Sequence, residues 1–600
     1  MPLRVGVTSG IYTAARSEEL ATPIKKLGYV ITRGVSAMEI AADVAYEIPY
    51  THGREMRHMA KKQKVDLNLH GDLMVPLCIP ERTEWRDAQD RMQKSVRSAV
   101  HAGAGYIDFH ACLNIWMELM TYAGRKLTSS FVDHEGKFIS NILSESEPLR
   151  EWFIKFKLRQ GGFTRNILSS DDIQNLNLKQ NLLERELEQM KRDLRREEET
   201  EKARINQLQM EDKITPGEAR FQLEELFNNL KEKENNIQSI EAQRIADEIS
   251  TLLDNEVRDK LIKGEAWDSE DFRGTETMEG FHIMAHYLFF NKDPMWIEMA
   301  KLYKNVLNRY GLDYNDNEWL ERAWRSAETE NDKEFKEFFY AVVGAKYLEG
   351  HIKKLFDWMS GDFKNELAKH DDGKELQDIA KNLVIAIENP DARDPSHAGM
   401  FILWRLRQIY AAVKVIRKTL KTDKVAIIVD HEHIASQGLD AWLEVKETAE
   451  EIPDFGEYII SVHSNHPNPL HPHEPVELGD VKLYELLWHW RKTGLGKKGT
   501  AFLMFERGGG EDPFKRSVEA LRMMAKYLEE DVEPEKLPLE FFGLKGPISG
   551  MVQRQMQIIR DHAYEPMKDL LEMPEEEWGL LSAEARKKGR AEVWKKAEMR

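Results

Sequence analysis

Six hundred residues, 41% hydrophobic and 32% charged, can bury a substantial core and exceed one ordinary domain, so a core domain with a large addition is expected. No segment approaches the roughly 18 uninterrupted apolar residues of a membrane span, which excludes a membrane partner, and two cysteines, Cys78 and Cys112, exclude a disulfide framework and point to a reducing cytoplasm. The formal net charge of -18 repels nucleic acid in bulk, so a DNA or RNA substrate needs a local basic patch or a metal cluster.

Reading forward, MPLRVGVTSG enters a strand at once and lacks the apolar core of a signal peptide. Short apolar, β-branched runs predict strands at Leu3–Thr8, Ala37–Ile40, Val65–His70 and Tyr106–His110. They resume at Leu383–Glu388, Val425–Asp430, Tyr458–His463 and Ala501–Glu506. Helical patterns follow most of them, most clearly at Asp87–Ala102 and Pro513–Leu528. Eight such units predict an α/β fold, a TIM (β/α)8 barrel. A doubly wound open sheet is the alternative, but only closure lets residues at six strand ends converge.

Between the fourth and fifth strands, about 270 residues do not read as barrel. The expected division is 1–112 for the first half-barrel, 113–380 for a large all-α insertion, 381–535 for the second half-barrel and 536–600 for a C-terminal helical extension. Within the insertion, Ser169–Ile262 is charged and helical with a recurrent Leu/Ile/Met stripe, broken at Thr215-Pro216-Gly217, and predicts a coiled-coil hairpin at about 169–262. That arm could also support a homo-oligomer. Thr277 to about Lys381 is helical and aromatic-rich, as expected of a compact helical subdomain with its own core. The insertion leaves through a βα loop, and such loops lie at the catalytic face of a barrel.

The strand ends carry the chemistry. The third ends in His70, the fourth in Ile107-Asp108-Phe109-His110, the fifth in Glu388-Asn389 and the sixth in Asp430 with His433 just beyond. The seventh ends in His463 and the eighth in Glu506, with His471-Pro472-His473-Glu474 between them. One histidine after an apolar run is usually a half-buried side chain. Six strand ends in succession bearing His, His, Glu, Asp, His and Glu point at one small volume, where unpaired carboxylates are costly without cations. Divalent metal is the simplest compensation; zinc is the expected ion, with manganese or iron also suited to imidazole and carboxylate. Other signals are read as structural. Lys155–Arg165, basic with interleaved aromatics, reads as a charged loop; His282 and His286 share a helix face without a third ligand; Arg507–Gly510 reads as a flexible loop; and Cys112 reads as a small buried side chain.

LVIAIENPDARD, VAIIVDHEHIASQGLD, YIISVHSN, HPHEPVELGD and FLMFERGGGEDP together resemble the endonuclease IV family (family 2 apurinic/apyrimidinic endonucleases) of the xylose-isomerase-like TIM barrels. The likeness covers residues 1–112 and about 381–530. It implies a di- or trinuclear site in which Glu388 bridges two metals, His70 and His110 hold the first, and Asp430, His463 and Glu506 hold the second. His433 and His473 would hold a third, with His471 standing where the family has an aspartate. The implied activity is metal-dependent hydrolysis of a nucleic-acid backbone at abasic or damaged sites, with Glu388, Asp430 and Glu506 as catalytic residues. A sugar isomerase or epimerase on the same fold would instead need one divalent metal held by Glu388, Asp430, His463 and Glu506. A third reading makes the arm the working part and the barrel its platform.

Overall fold

Eight short strands close in chain order into a parallel barrel: β1 (Leu3–Thr8), β2 (Ala37–Ala41), β3 (Asp66–His70), β4 (Tyr106–His110), β5 (Val384–Glu388), β6 (Val425–Asp430), β7 (Ile459–His463) and β8 (Ala501–Phe505). The structure is a computed structural model that describes residues 3–8, 23–32, 35–41, 48–112, 132–137, 139, 142, 146–159, 170–211, 213–252, 278–392, 397–399, 401–467, 474–506 and 514–543. β1 pairs with β8 from Leu3↔Ala501 to Val7↔Phe505, so no open edge remains. The closed barrel, rather than the open sheet, is the architecture.

The strands are nearly continuous apolar runs because both faces are covered. Inward side chains Ala37, Tyr106, Ala386, Ile428, Phe502 and Met504 form one packed cluster. The outward faces meet amphipathic helices. In Leu406–Leu420, for example, Ile409, Ala412, Val413 and Ile416 recur at the helical period and are buried. The helix predicted at Asp87–Ala102 starts earlier, at Arg82, because Glu81 accepts hydrogen bonds from the backbone N–H groups of Thr83 (2.7 Å) and Glu84 (3.0 Å).

Between β4 and β5 the described residues carry helices. The described residues from 139 to 279 form one compact unit, and the remaining described residues form the other, barrel-containing unit. In the first unit, Ser170–Met210 and Pro216–Leu252 pack together, with Lys233 2.5 Å from Glu197, while 253–262 of the expected hairpin lie outside the described residues. Thr215 and Glu218 cap the second helix reciprocally: the Glu218 carboxylate accepts from Thr215 N at 2.8 Å, and Thr215 Oγ1 accepts from Glu218 N at 3.3 Å. Glu147–Arg159 is also helical, so Lys155–Arg159 ends a helix where a charged loop was expected; 160–165 lie outside the described residues.

The aromatic helices Met278–Phe290, Pro294–Leu302, Trp319–Glu330 and Lys333–Trp358 share the unit of the barrel. Trp296 lies 5.3 Å from Phe289 and 5.0 Å from Phe338 between ring centroids, giving these helices an aromatic centre. They are tied to the barrel helix Leu406–Leu420 by Gln408 Nε2 donating to Tyr303 Oη at 2.7 Å and by Lys414 paired with Glu298 at 2.6 Å. Among the described residues, no helix is long and apolar enough to cross a membrane.

Candidate metal centre

Side chains alternate along a strand, so the residue two positions beyond each apolar core residue also points inward, one layer nearer the C-terminal mouth. Ala37 is thus followed by Glu39, Tyr106 by Asp108 and then His110, Ala386 by Glu388, Ile428 by Asp430, and Met504 by Glu506. Strand register sets these polar residues side by side: His70 opposite Asp108, His110 opposite Glu388, and Asp430 opposite His463. A barrel that is greasy in one layer becomes a ring of imidazoles and carboxylates in the next.

Glu388 is the hub. Its Oε2 lies 3.4 Å from both His70 Nε2 and His110 Nε2, while its Oε1 lies 2.8 Å from His463 Nδ1 and 3.5 Å from His433 Nδ1. His463 Nδ1 is also 3.5 Å from Asp430 Oδ2 and 3.5 Å from Glu506 Oε2. Four overlapping groups have donor atoms close enough to share an ion: His70–His110–Glu388, Asp108–Glu388–His463, Glu388–Asp430–His433 and Asp430–His463–Glu506.

Several of the ligand candidates are held from behind. His70 Nδ1 donates to the Gly71 carbonyl at 3.1 Å and His433 Nδ1 to the Asn389 carbonyl at 2.8 Å, which leaves Nε2 of each ring facing the centre. Gly71 must be a glycine, since a Cβ there would stand 2.5 Å from the Asp108 carbonyl oxygen. Asp430 Oδ1 accepts from Glu432 N (2.6 Å) and His433 N (3.0 Å), capping the helix His431–Ser436 and leaving Oδ2 for the site. Asn389 and Asn465 repeat one device. Asn389 bonds both the N–H (2.9 Å) and C=O (2.8 Å) of Asp430, and Asn465 bonds both the N–H (2.9 Å) and C=O (2.8 Å) of Glu506. On the far side of His463, Nε2 is 3.2 Å from Glu39 Oε1, and Tyr106 Oη donates to Glu39 Oε2 at 2.6 Å.

The electrostatics follow from this crowding. Burial would raise the Glu388 carboxyl, but His463 and its contacts with His110 and His70 hold it well below the usual carboxylate range. Burial would lower the His433 imidazole, yet Asp430 and Glu388 push it up to about 10. His70 and His463 are likewise held well above 6.5 by surrounding carboxylates, against the effect of burial. His110 is lowered by burial.

The donor set also fits divalent transition-metal ions. Glu388 Oε1 and Oε2, Asp430 Oδ2, His110 Nε2 and His463 Nδ1 are buried and make no hydrogen bond, although they crowd one another. Buried polar atoms are left in this state where an ion or water takes up their lone pairs. Imidazole nitrogen with carboxylate oxygen suits zinc, manganese and iron.

Of the nine expected ligands, His70, His110, Glu388, Asp430, His433, His463 and Glu506 come together here. His471 and His473 lie outside the described residues, as does the Arg507–Gly510 loop. His282 and His286 belong to the aromatic helices, where His282 packs 4.6 Å from Trp324 between ring centroids. Cys112 is buried, with Sγ donating to the Leu403 carbonyl at 3.1 Å. Two fully buried carboxylates, Glu39 and Asp108, were not expected. Their signal is a charge inside an apolar strand, one period before the mouth. No protein-family model matches the chain, and no curated protein matches it.

Proposed function

We propose that the chain is a metal-dependent phosphodiesterase resembling endonuclease IV, hydrolysing a nucleic-acid backbone at abasic or damaged sites. The observation that carries this reading is the division of Glu388, whose Oε2 faces His70 and His110 while its Oε1 faces His463. One ion needs no such division; two or more do. His70 and His110 would hold one ion with Glu388, Asp430, His463 and Glu506 another, and His433 would contribute to a third. Zinc is the ion proposed, with manganese or iron suited to the same donors. When bound, such ions supply Lewis acidity towards phosphate oxygens and lower the pKa of coordinated water.

The protein's own contribution is placement. Glu388, with no exposed surface, sets the spacing of the donors around it. Asp430, with Oδ1 committed to the helix cap, offers one oxygen in one direction. Glu506 is 15% exposed and stands nearest the mouth of these carboxylates, where it can orient an incoming group. The helices between β4 and β5 form the large insertion of this reading, and its βα exit can shape access to the mouth.

A sugar isomerase or epimerase is supported by one distinct observation: His463 Nδ1 faces Glu388, Asp430 and Glu506 together, within 2.8–3.5 Å. Those four residues suffice for one ion, and the carboxylates could move a substrate proton. Metal analysis joined to an abasic-duplex cleavage assay separates the two. The expected result is two or three ions in the wild type and nicking that falls at least ~10²-fold in Glu388→Ala, as when a preorganised electrostatic stabiliser is lost. One ion without nicking would transfer the function to the isomerase.

A further inference from the structure

Asp108 lies two residues before His110 on β4 and shares its inward face. It has no exposed surface, and neither carboxylate oxygen makes a hydrogen bond. Its backbone carbonyl is satisfied by Gly71 N at 3.0 Å, so the side chain alone is left over. A fully buried carboxyl group whose oxygens make no hydrogen bond is costly unless something completes it.

The surroundings indicate what completes it. His70 Nε2 lies 3.5 Å from Asp108 Oδ2 and 3.4 Å from Glu388 Oε2. Because His70 Nδ1 already donates to the Gly71 carbonyl, a neutral ring turns its Nε2 lone pair towards two carboxylates. A proton on Nε2 relieves that contact but leaves Asp108 Oδ1 unanswered. A cation between them answers His70, Glu388 and Asp108 together. Asp108 also joins Glu388 and His463 in a set whose donor atoms all lie within 4.8 Å of one another.

We propose that Asp108 is an additional metal ligand that closes the floor of the cluster beneath the rim residues. This rests on the metal-centre reading above and adds a donor to it. A carboxylate among imidazoles suits a divalent transition metal rather than an alkali ion.

The test uses the full chain stripped of metal, with Zn2+ affinity measured by chelator competition and thermal melting of stripped and zinc-loaded forms. Asp108→Asn should weaken the tightest zinc binding at least about tenfold, since loss of supporting partners alone costs 10–100-fold. It should also shrink the rise in melting temperature that zinc loading gives the stripped protein. Asp108→Ala gives the same reduced rise and serves if the asparagine amide hinders folding. Zinc affinity within twofold of wild type, or an undiminished rise in melting temperature on zinc loading, makes Asp108 structural and overturns the proposal. Wild type that binds no zinc overturns the metal reading itself, whereas normal zinc binding lost in Glu388→Ala but kept in Asp108→Asn overturns only the role of Asp108.

Discussion

His463 is gripped through both ring nitrogens, with Nδ1 facing the central carboxylates and Nε2 facing Glu39, which Tyr106 holds in turn. A carboxylate behind an imidazole ligand fixes its tautomer and raises its basicity. We therefore predict that Glu39→Gln weakens zinc affinity about tenfold and Glu39→Ala closer to a hundredfold, with the number of ions bound unchanged. Calorimetric titration reads both quantities, and unaltered affinity in Glu39→Ala would remove Glu39 from the site. The residues at strand ends were legible because each closes a short, largely apolar strand run: His70, His110, Glu388, Asp430, His463 and Glu506. Glu39 was not. In AMEIAA the charge is surrounded by apolar residues, and a strand buried on both faces gives no period by which to tell inward from outward.

The strands themselves were legible almost to the residue, since β1, β4 and β6 coincide with their predicted spans and the others differ by one position at an end. What chain order could not display is the lateral fastening. β4 and β5 pair from Tyr106↔Val384 to His110↔Glu388 although about 270 residues separate them. Beyond the last ladder bonds, Asn389 and Asn465 act as side-chain rungs that prolong the sheet to Asp430 and Glu506. Asparagine is commonplace in loops, so neither residue signals this use on its own. Asn465→Ala leaves the Glu506 N–H and C=O without this partner and should cost about 1–3 kcal/mol, measured by denaturant unfolding. An unchanged unfolding free energy would show that water replaces the amide fully. The late prediction of the helix Arg82–Ala102 has a similar origin, because Glu81 caps it in place of the usual Ser, Thr, Asp or Asn.

At the scale of the molecule, the aromatic helices were foreseen as helices, but their membership in the barrel unit depends on contacts such as Tyr303–Gln408 that no local pattern encodes. They bury histidines as neutral rings. Burial holds His282 at about 4 and His351 at about 3, below the ordinary 6.5. As pH falls below 6.5 the unfolded chain binds protons that these folded rings refuse. Their contribution is therefore complete above about 6.5 and is lost as pH falls towards the folded values. Each should cost about 1.5 kcal/mol between pH 6.5 and pH 5. His282→Phe, which keeps an aromatic ring against Trp324 and Phe339, should reduce the loss over that interval by about this amount. Equal losses in variant and wild type would mean that His282 titrates normally. The two unforeseen carboxylates have a last consequence. Glu39, Asp108, Glu388, Asp430 and Glu506 bring five negative charges to the centre when ionised, where the strand ends alone supply three. On the proposed metal reading, two divalent ions would leave the mouth with one net negative charge, and three would leave it with one net positive charge. In a chain of net charge -18, ion occupancy would then act as a valve: an anionic ligand would be turned away from a partly filled barrel and admitted to a full one.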